Sequence, residues 1–227
     1  MLIGGFQKMT MLDYPGKVAC TIFTYGCNFR CPFCHNATLV IDEANLFSEE
    51  EILSYLNKRK GILDGVCITG GEPLLQKDIF EFLEKVRSTG LLVKLDTNGS
   101  YPEKLKEAID RGLVDYVAMD IKTSKENYSK VADVNVNIAD IEKSVSILLE
   151  NKVDYEFRTT VVKEMHEKED FEKISEWIKG AKRYFLQCFK DNENLIGNNL
   201  SAYTPHELSG FLEVLKNNID EVSLRGV

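Results

Sequence analysis

The segment KVACTIFTYGCNFRCPFCHN, residues 17–36, joins two signals whose combination decides the fold. Its first eight residues, Lys17 to Thr24, are apolar and β-branched, the composition of a buried strand. The next twelve hold Cys27, Cys31 and Cys34 in a C-x3-C-x2-C spacing. A strand that runs straight into a cysteine loop puts chemistry at a strand's carboxyl end, where α/β folds keep their sites.

Outward from this segment the chain alternates. Strand-like runs at 64–69, 91–96, 114–121, 153–162 and 183–189 are separated by helix-like runs at 48–58, 75–88, 102–111, 138–150 and 168–179, and a helix at 205–216 follows the last strand. Ser48 before three acids reads as a helix cap, and Pro102 opens a helix at a position that needs no amide hydrogen. Six strands, each followed by a helix, predict an α/β fold with a parallel sheet, because parallel neighbours need crossover connections. Residues 222–225 add a short terminal strand. No Pro/Gly/Ser-rich linker interrupts the series, so residues 1–227 are read as one domain. Six units fall short of the eight of a closed barrel, which leaves an open barrel or a doubly wound sheet.

Composition limits the partners. The 227 residues carry 28 Lys+Arg against 36 Asp+Glu, a formal charge of −8, which argues against broad binding to nucleic-acid phosphates. No run approaches the ~18 apolar residues of a membrane span, and no signal peptide opens the chain, so a cytoplasmic location with no membrane contact is expected. Six cysteines are too few for a disulfide scaffold, and crowding three of them into eight residues points to metal.

Thiolates suit iron–sulfur clusters or zinc. Three thiolates would leave one iron of a four-iron cubane open to a small molecule. The alternative is a zinc staple completed by Cys67, Cys188 or His206; His35 is a poor fourth ligand because Cys34 beside it is already used. Cys20, Cys67 and Cys188 fall in apolar strands and read as small buried hydrophobes.

The other strand ends carry polar groups. Gly70-Gly71-Glu72-Pro73 lets a ligand approach the backbone and offers a carboxylate to an ammonium group, and is also good chemistry for an ordinary turn. Asp96-Thr97-Asn98-Gly99 offers carboxylate, hydroxyl and amide to a ribose or cation; a turn accounts for Asn98 and Gly99 but less well for Asp96. In Met119-Asp120-Ile121-Lys122, alternation sends Asp120 and Lys122 to one side, as a solvated rim pair or as groups facing a ligand. Arg158 is a cation in a strand-like run, suited to a carboxylate ligand or to a salt bridge. His166 follows the same strand and could flank a planar base of a ligand, but beside Glu164 and Glu167 it is read as a surface histidine.

The C-x3-C-x2-C spacing followed by Gly70-Gly71-Glu72-Pro73 resembles the radical S-adenosylmethionine superfamily. More narrowly, Leu12-Asp13-Tyr14-Pro15-Gly16-Lys17 leading into GCNFRCPFCHN resembles the activating proteins of anaerobic ribonucleoside-triphosphate reductase, within the glycyl-radical-enzyme activating family. The likeness runs from Gly5 to Leu224-Arg225-Gly226. It implies a partial (β/α)6 barrel, a [4Fe-4S] cluster on Cys27, Cys31 and Cys34, and S-adenosylmethionine on the open iron. It further implies that the 70–73 segment holds the methionyl amine and that Asp96 and Thr97 lie near the ligand carboxylate, with a monovalent cation in some relatives. Asp120 and Lys122 would stand at the reaction centre. The glycine-rich adenine-contacting pattern of many members is not recognisable, so Phe33, inside the cysteine loop, is the candidate for that contact. No ferredoxin-like insertion is present, and one cluster is expected. The implied partners are a glycyl radical enzyme as protein substrate and a flavodoxin- or ferredoxin-type electron donor. Two alternatives remain: a radical enzyme acting on a small molecule such as a purine-derived nucleus, and a zinc-stabilised interaction module without catalysis.

Overall fold

In the computed structural model, which describes residues 1–40, 46–191 and 194–226, the alternation resolves into one eight-stranded sheet. Its strands are β1 (Ile3–Thr10), β2 (Ala19–Thr24), β3 (Gly65–Gly70), β4 (Leu92–Thr97), β5 (Tyr116–Asp120), β6 (Asp154–Val161), β7 (Arg183–Cys188) and β8 (Glu221–Arg225). They lie side by side in chain order, β1 antiparallel to β2 and every later pair parallel. An order that never reverses sends every right-handed crossover to the same face of the sheet. A sheet covered on one face curls about the other, giving an open barrel; a doubly wound sheet would need a reversal. The two edges are β1 and β8, which are not paired to each other among the described residues.

The helices are α1 (Glu49–Lys58), α2 (Ile79–Arg87), α3 (Pro102–Asp110), α4 (Tyr128–Ala132), α5 (Ile138–Leu149), α6 (Lys168–Trp177) and α7 (Pro205–Leu215). Ser48 with Glu51, and Thr204 with Glu207, form capping boxes that fix the starts of α1 and α7. The helix expected from residue 75 begins only at Ile79. Pro73–Leu75 is instead a short 3-10 turn, because the Glu72 carboxylate accepts from Leu74 N and Gln76 is extended.

Alternation along the strands separates two environments. Outward residues such as Ile22, Ile68, Val93, Leu95, Val117 and Phe157 pack with Phe82, Leu83, Val145 and Phe171 from the helices in one fully buried apolar layer. Inward positions are polar: Thr21, Cys67 and Lys94 sit in register across β2, β3 and β4, and Asp120 pairs with Arg158 across β5 and β6. At the amino ends of the strands, Tyr14 packs on Tyr116 with ring centroids 5.9 Å apart and plugs the barrel floor.

Candidate active site

The loop after β2 and the turn after β3 are built against each other. Gly71 N donates to Thr24 O at 2.9 Å, and Glu72 N to Gly26 O at 2.9 Å. A Cβ on Gly71 would lie 2.0 Å from the Gly26 carbonyl oxygen, and one on Gly70, at φ +114°, would lie 2.4 Å from Thr24 N. Only glycine permits this approach. Asn36 then ties the far end of the cysteine loop to the same turn, donating through Nδ2 to Gly70 O at 3.1 Å.

This docking turns Cys27, Cys31 and Cys34 toward one cavity of about 560 Å³. Burial pushes the Cys27 thiol up to about 12 and that of Cys31 to about 11, and raises that of Cys34; Lys122 pulls each partly back. Such thiols lose their protons only to a metal, whose charge reverses the local balance. A single zinc ion would need donor atoms within about 2.0–2.3 Å of one point. Among the described residues, no three His, Cys, Asp or Glu side chains gather closely enough for one ion. His206, one of the residues considered as a zinc ligand, is exposed on α7. A multi-iron cluster takes each thiolate on a different iron, so an all-thiolate trio lining one cavity fits it by donor chemistry.

The cavity floor is a chain of ion pairs. Lys94 Nζ bonds Asp96 Oδ1; Arg158 bonds Asp96 Oδ2 at 3.1 Å and, through Nε, Asp120 Oδ1 at 2.6 Å; Lys122 Nζ bonds Asp120 Oδ2 at 3.1 Å. Burial alone would neutralise these groups. The neighbouring cations instead hold Asp96 and Asp120 below the usual carboxylate range, and the neighbouring carboxylates raise Lys94, Lys122 and Arg158. Every carboxylate oxygen thus meets a protein cation, and three cations face two anions.

Of the residues singled out in the sequence, Cys27, Cys31, Phe33, Cys34, Gly70, Gly71, Asp96, Thr97, Asp120, Lys122 and Arg158 line this cavity. Glu72 and Pro73 stand behind its wall. The Glu72 carboxylate, fully buried, accepts from Asn98 N at 2.7 Å, Thr97 Oγ1 at 2.8 Å and Leu74 N at 3.0 Å, clamping the β3 turn to the β4 turn. The Phe33 ring meets His166 edge-on at 6.2 Å, with Lys122 Nζ 6.0 Å from its centre.

Three readings are corrected. His166 is not a surface residue: it is fully buried, and its Nε2 lies 2.7 Å from Lys122 O while Nδ1 accepts from Val162 N at 3.1 Å. Nδ1 also lies 3.2 Å from Val162 O, so each ring nitrogen has a carbonyl oxygen within hydrogen-bond distance. Cys188 lines the cavity and is half-buried, because β7 ends there. The Cys67 thiol is buried, as expected, but in a polar setting, 3.8 Å from Lys94 Nζ. Sequence reasoning also missed Lys94, and left Asn98 as a turn residue although it lines the cavity. Strand alternation from Asp96 could have found Lys94; Asn98, whose Nδ2 donates to Asn28 Oδ1 at 2.9 Å, had no signal beyond its turn.

A one-sided sheet curled around a polar floor, with three thiols at its mouth, defines a partial α/β barrel built to carry a metal cluster. The family model described as the radical SAM superfamily matches residues 21–178. A protein of Methanocaldococcus jannaschii, provisionally named a glycyl-radical enzyme activating enzyme, is 33% identical over 233 residues, covering 100% of this chain and 96% of its own. The pyruvate formate-lyase-activating enzyme of Clostridium pasteurianum is 32% identical over 130 residues, 53% of this chain and 52% of its own, so the chain matches about half its length. The Streptococcus suis protein SuiB bound to S-adenosylmethionine shares the fold with a TM-score of 0.71 at 15% identity, over 88% of this chain and 48% of its own. The chain belongs to the radical SAM superfamily and, within it, groups with the glycyl-radical enzyme activating enzymes. That family implies a [4Fe-4S] cluster and S-adenosylmethionine, which the thiol trio and the charged floor fit. No helix among the described residues is long and apolar enough to cross a membrane.

Proposed function

We propose that this chain generates a glycyl radical in a partner enzyme, and that the partner is anaerobic ribonucleoside-triphosphate reductase. The observation that carries the radical chemistry is the convergence of Cys27, Cys31 and Cys34 on the cavity whose floor holds Asp96, Asp120, Lys122 and Arg158. When bound, a reduced [4Fe-4S] cluster and S-adenosylmethionine supply a 5′-deoxyadenosyl radical able to take hydrogen from a glycine α-carbon. The rest is the work of this chain's residues. The three cysteines hold the cluster; Gly70 and Gly71 leave backbone open to an ammonium group; Arg158 and Lys122 attract a carboxylate; Phe33 offers an apolar face to a planar base. Glu72 acts from behind the wall, fixing the two turns that frame the ligand.

The choice of partner rests on residues 12–17, the segment that resembles the reductase-activating proteins. Asp13 lines the cavity wall and accepts from Thr21 Oγ1 at 2.5 Å, while Tyr14 lies outside the cavity, packed on Tyr116 at the amino ends of the strands. The reading includes one domain over 1–227, a cytoplasmic location suited to free thiols, and a flavodoxin- or ferredoxin-type electron donor, with no nucleic-acid or membrane partner. Anaerobic incubation with the reductase, S-adenosylmethionine and a reductant should produce a glycyl-radical doublet in electron paramagnetic resonance, and Cys31→Ala should abolish it. Cleavage of S-adenosylmethionine with no signal on the reductase would overturn the partner. A colourless protein holding one zinc would overturn the radical chemistry.

A further inference from the structure

Lys94 is a charged residue in the middle of a buried strand. Its side chain is 2% exposed, whereas exposure rises along the floor through Asp96 at 11% and Arg158 at 14% to Asp120 at 29%. The ammonium therefore stands behind the cavity wall, out of a ligand's reach, bonded to Asp96 Oδ1 with the Cys67 sulfur at 3.8 Å. A strand residue in register with Cys67 and Tyr116 could be apolar at no cost to the sheet. What its charge does is electrostatic. Without it, Asp96 Oδ1 would be a buried half-paired carboxylate, and the two anions of the floor would face two cations instead of three. An oxygen of a buried carboxylate left unpaired attracts a cation; at Asp96 Oδ1 that position is taken by a covalently held ammonium, and Oδ2 by Arg158.

We propose that Lys94 is a positioning residue that stands in for a bound monovalent metal ion: it completes Asp96 from behind, keeps one surplus positive charge on the floor, and lets the cavity receive the carboxylate of S-adenosylmethionine without added sodium or potassium. The proposal rests on the cofactor assignment above and makes the cation envisaged beside Asp96 unnecessary. The other charged cavity residues leave the balance unchanged, since Asp13 and Lys190 are of opposite sign and Arg225 is paired with Glu156. Lys94 has no nucleophilic role, being buried and held protonated by Asp96 against the effect of burial.

The test is calorimetric binding of S-adenosylmethionine to the cluster-loaded protein, in choline chloride and in potassium chloride at equal ionic strength. The wild type should bind with affinities within about twofold of each other in the two salts. Lys94→Met, close in shape but uncharged, should bind about tenfold or more weakly in choline, because a buried carboxylate loses its partner, and should recover in potassium, sodium or ammonium. A structural role alone would give no recovery by ions. A wild type about tenfold weaker in choline, a folded variant that binds normally without ions, or one that no ion rescues each overturns the proposal. If the variant does not fold, the wild-type comparison decides alone. Absence of binding in both salts would instead defeat the cofactor assignment, and the proposal with it.

Discussion

Glu72 pairs a sequence motif with a physical role the motif does not announce. The carboxylate was expected to meet a ligand ammonium; it lies fully buried, engaged by Leu74 N, Thr97 Oγ1 and Asn98 N. Burial pushes its carboxyl up to about 7 despite those donors. An acid raised by folding takes up a proton as the chain folds, so between the ordinary value of 4.5 and 7 the native state binds more protons than the unfolded one. Its contribution to stability is complete below 4.5 and is lost as pH rises through about 7. Glu72→Gln removes the titration. In anaerobic urea unfolding, the stability of the variant relative to wild type should rise by about 2–3 kcal/mol between pH 5 and 7.5. His166, buried and held below its usual value, titrates in part of this window but equally in both proteins. A pH-independent difference would mean that the folded carboxyl stays ionised. The residues that reach the cavity were legible because their types are chemically conspicuous at strand ends: cysteines, Asp96, Asp120, Lys122. His166 was misread because its acidic neighbours in sequence point elsewhere, while Phe33, Phe171 and the Lys122 and Val162 backbone enclose its ring.

Elements were readable where local chemistry specifies them. The capping boxes at Ser48 and Thr204 and the prolines at 102 and 205 mark helix starts to within a residue or two. Strand β1 was not readable: Gly4, Gly5, Gln7 and Lys8 carry little strand propensity, and tertiary contacts order them, pairing to β2 and the Tyr55 hydroxyl donating to Lys8 O at 2.8 Å. Helix α4 is only five residues long, too short for a periodic signal. The decisive contact between elements is the turn after β3 pressed on the cysteine loop. Gly71→Ala would drive a methyl group into the Gly26 carbonyl, 2.0 Å away, and push the loop off the turn. The sheet and helices do not depend on this contact, so far-UV circular dichroism should stay near wild type. Iron retained per chain after anaerobic reconstitution should fall by about twofold or more, because cluster ligands tolerate displacements of only about 0.5 Å. Full iron loading in the variant would show that the loop is held by Asn36 and the Asn28–Asn98 bond without the glycine contact.

At the scale of the whole molecule, the question is what stops an open barrel from unrolling, since among the described residues neither edge strand pairs with the other. Part of the answer crosses the interior. Arg225, in the last strand, reaches past β7 to Glu156 in β6 with two hydrogen bonds, 2.5 Å from Nη1 to Oε1 and 2.9 Å from Nη2 to Oε2. Tyr116 in β5 donates to the same carboxylate at 2.7 Å, and Arg183 in β7 donates to the Tyr116 oxygen at 3.0 Å. The Arg225 guanidinium also lies 3.5 Å above the centre of the Phe185 ring. Glu156 is fully buried, so the four strands from β5 to β8 are stitched by a charge that cannot be left unpaired. Arg225→Ala should therefore cost about 2–4 kcal/mol, less than for a wholly buried pair because the arginine itself is 34% exposed. Glu156→Gln in that background should restore part of the loss by removing the stranded charge, whereas Glu156→Gln alone should destabilise. Urea unfolding of the two single variants and the double variant gives the coupling energy directly. Coupling near zero would mean that β8 is held only by its backbone ladder to β7. Coupling of about 1 kcal/mol or more would make the interior ion pair the fastening that holds the barrel's open side beside the cavity.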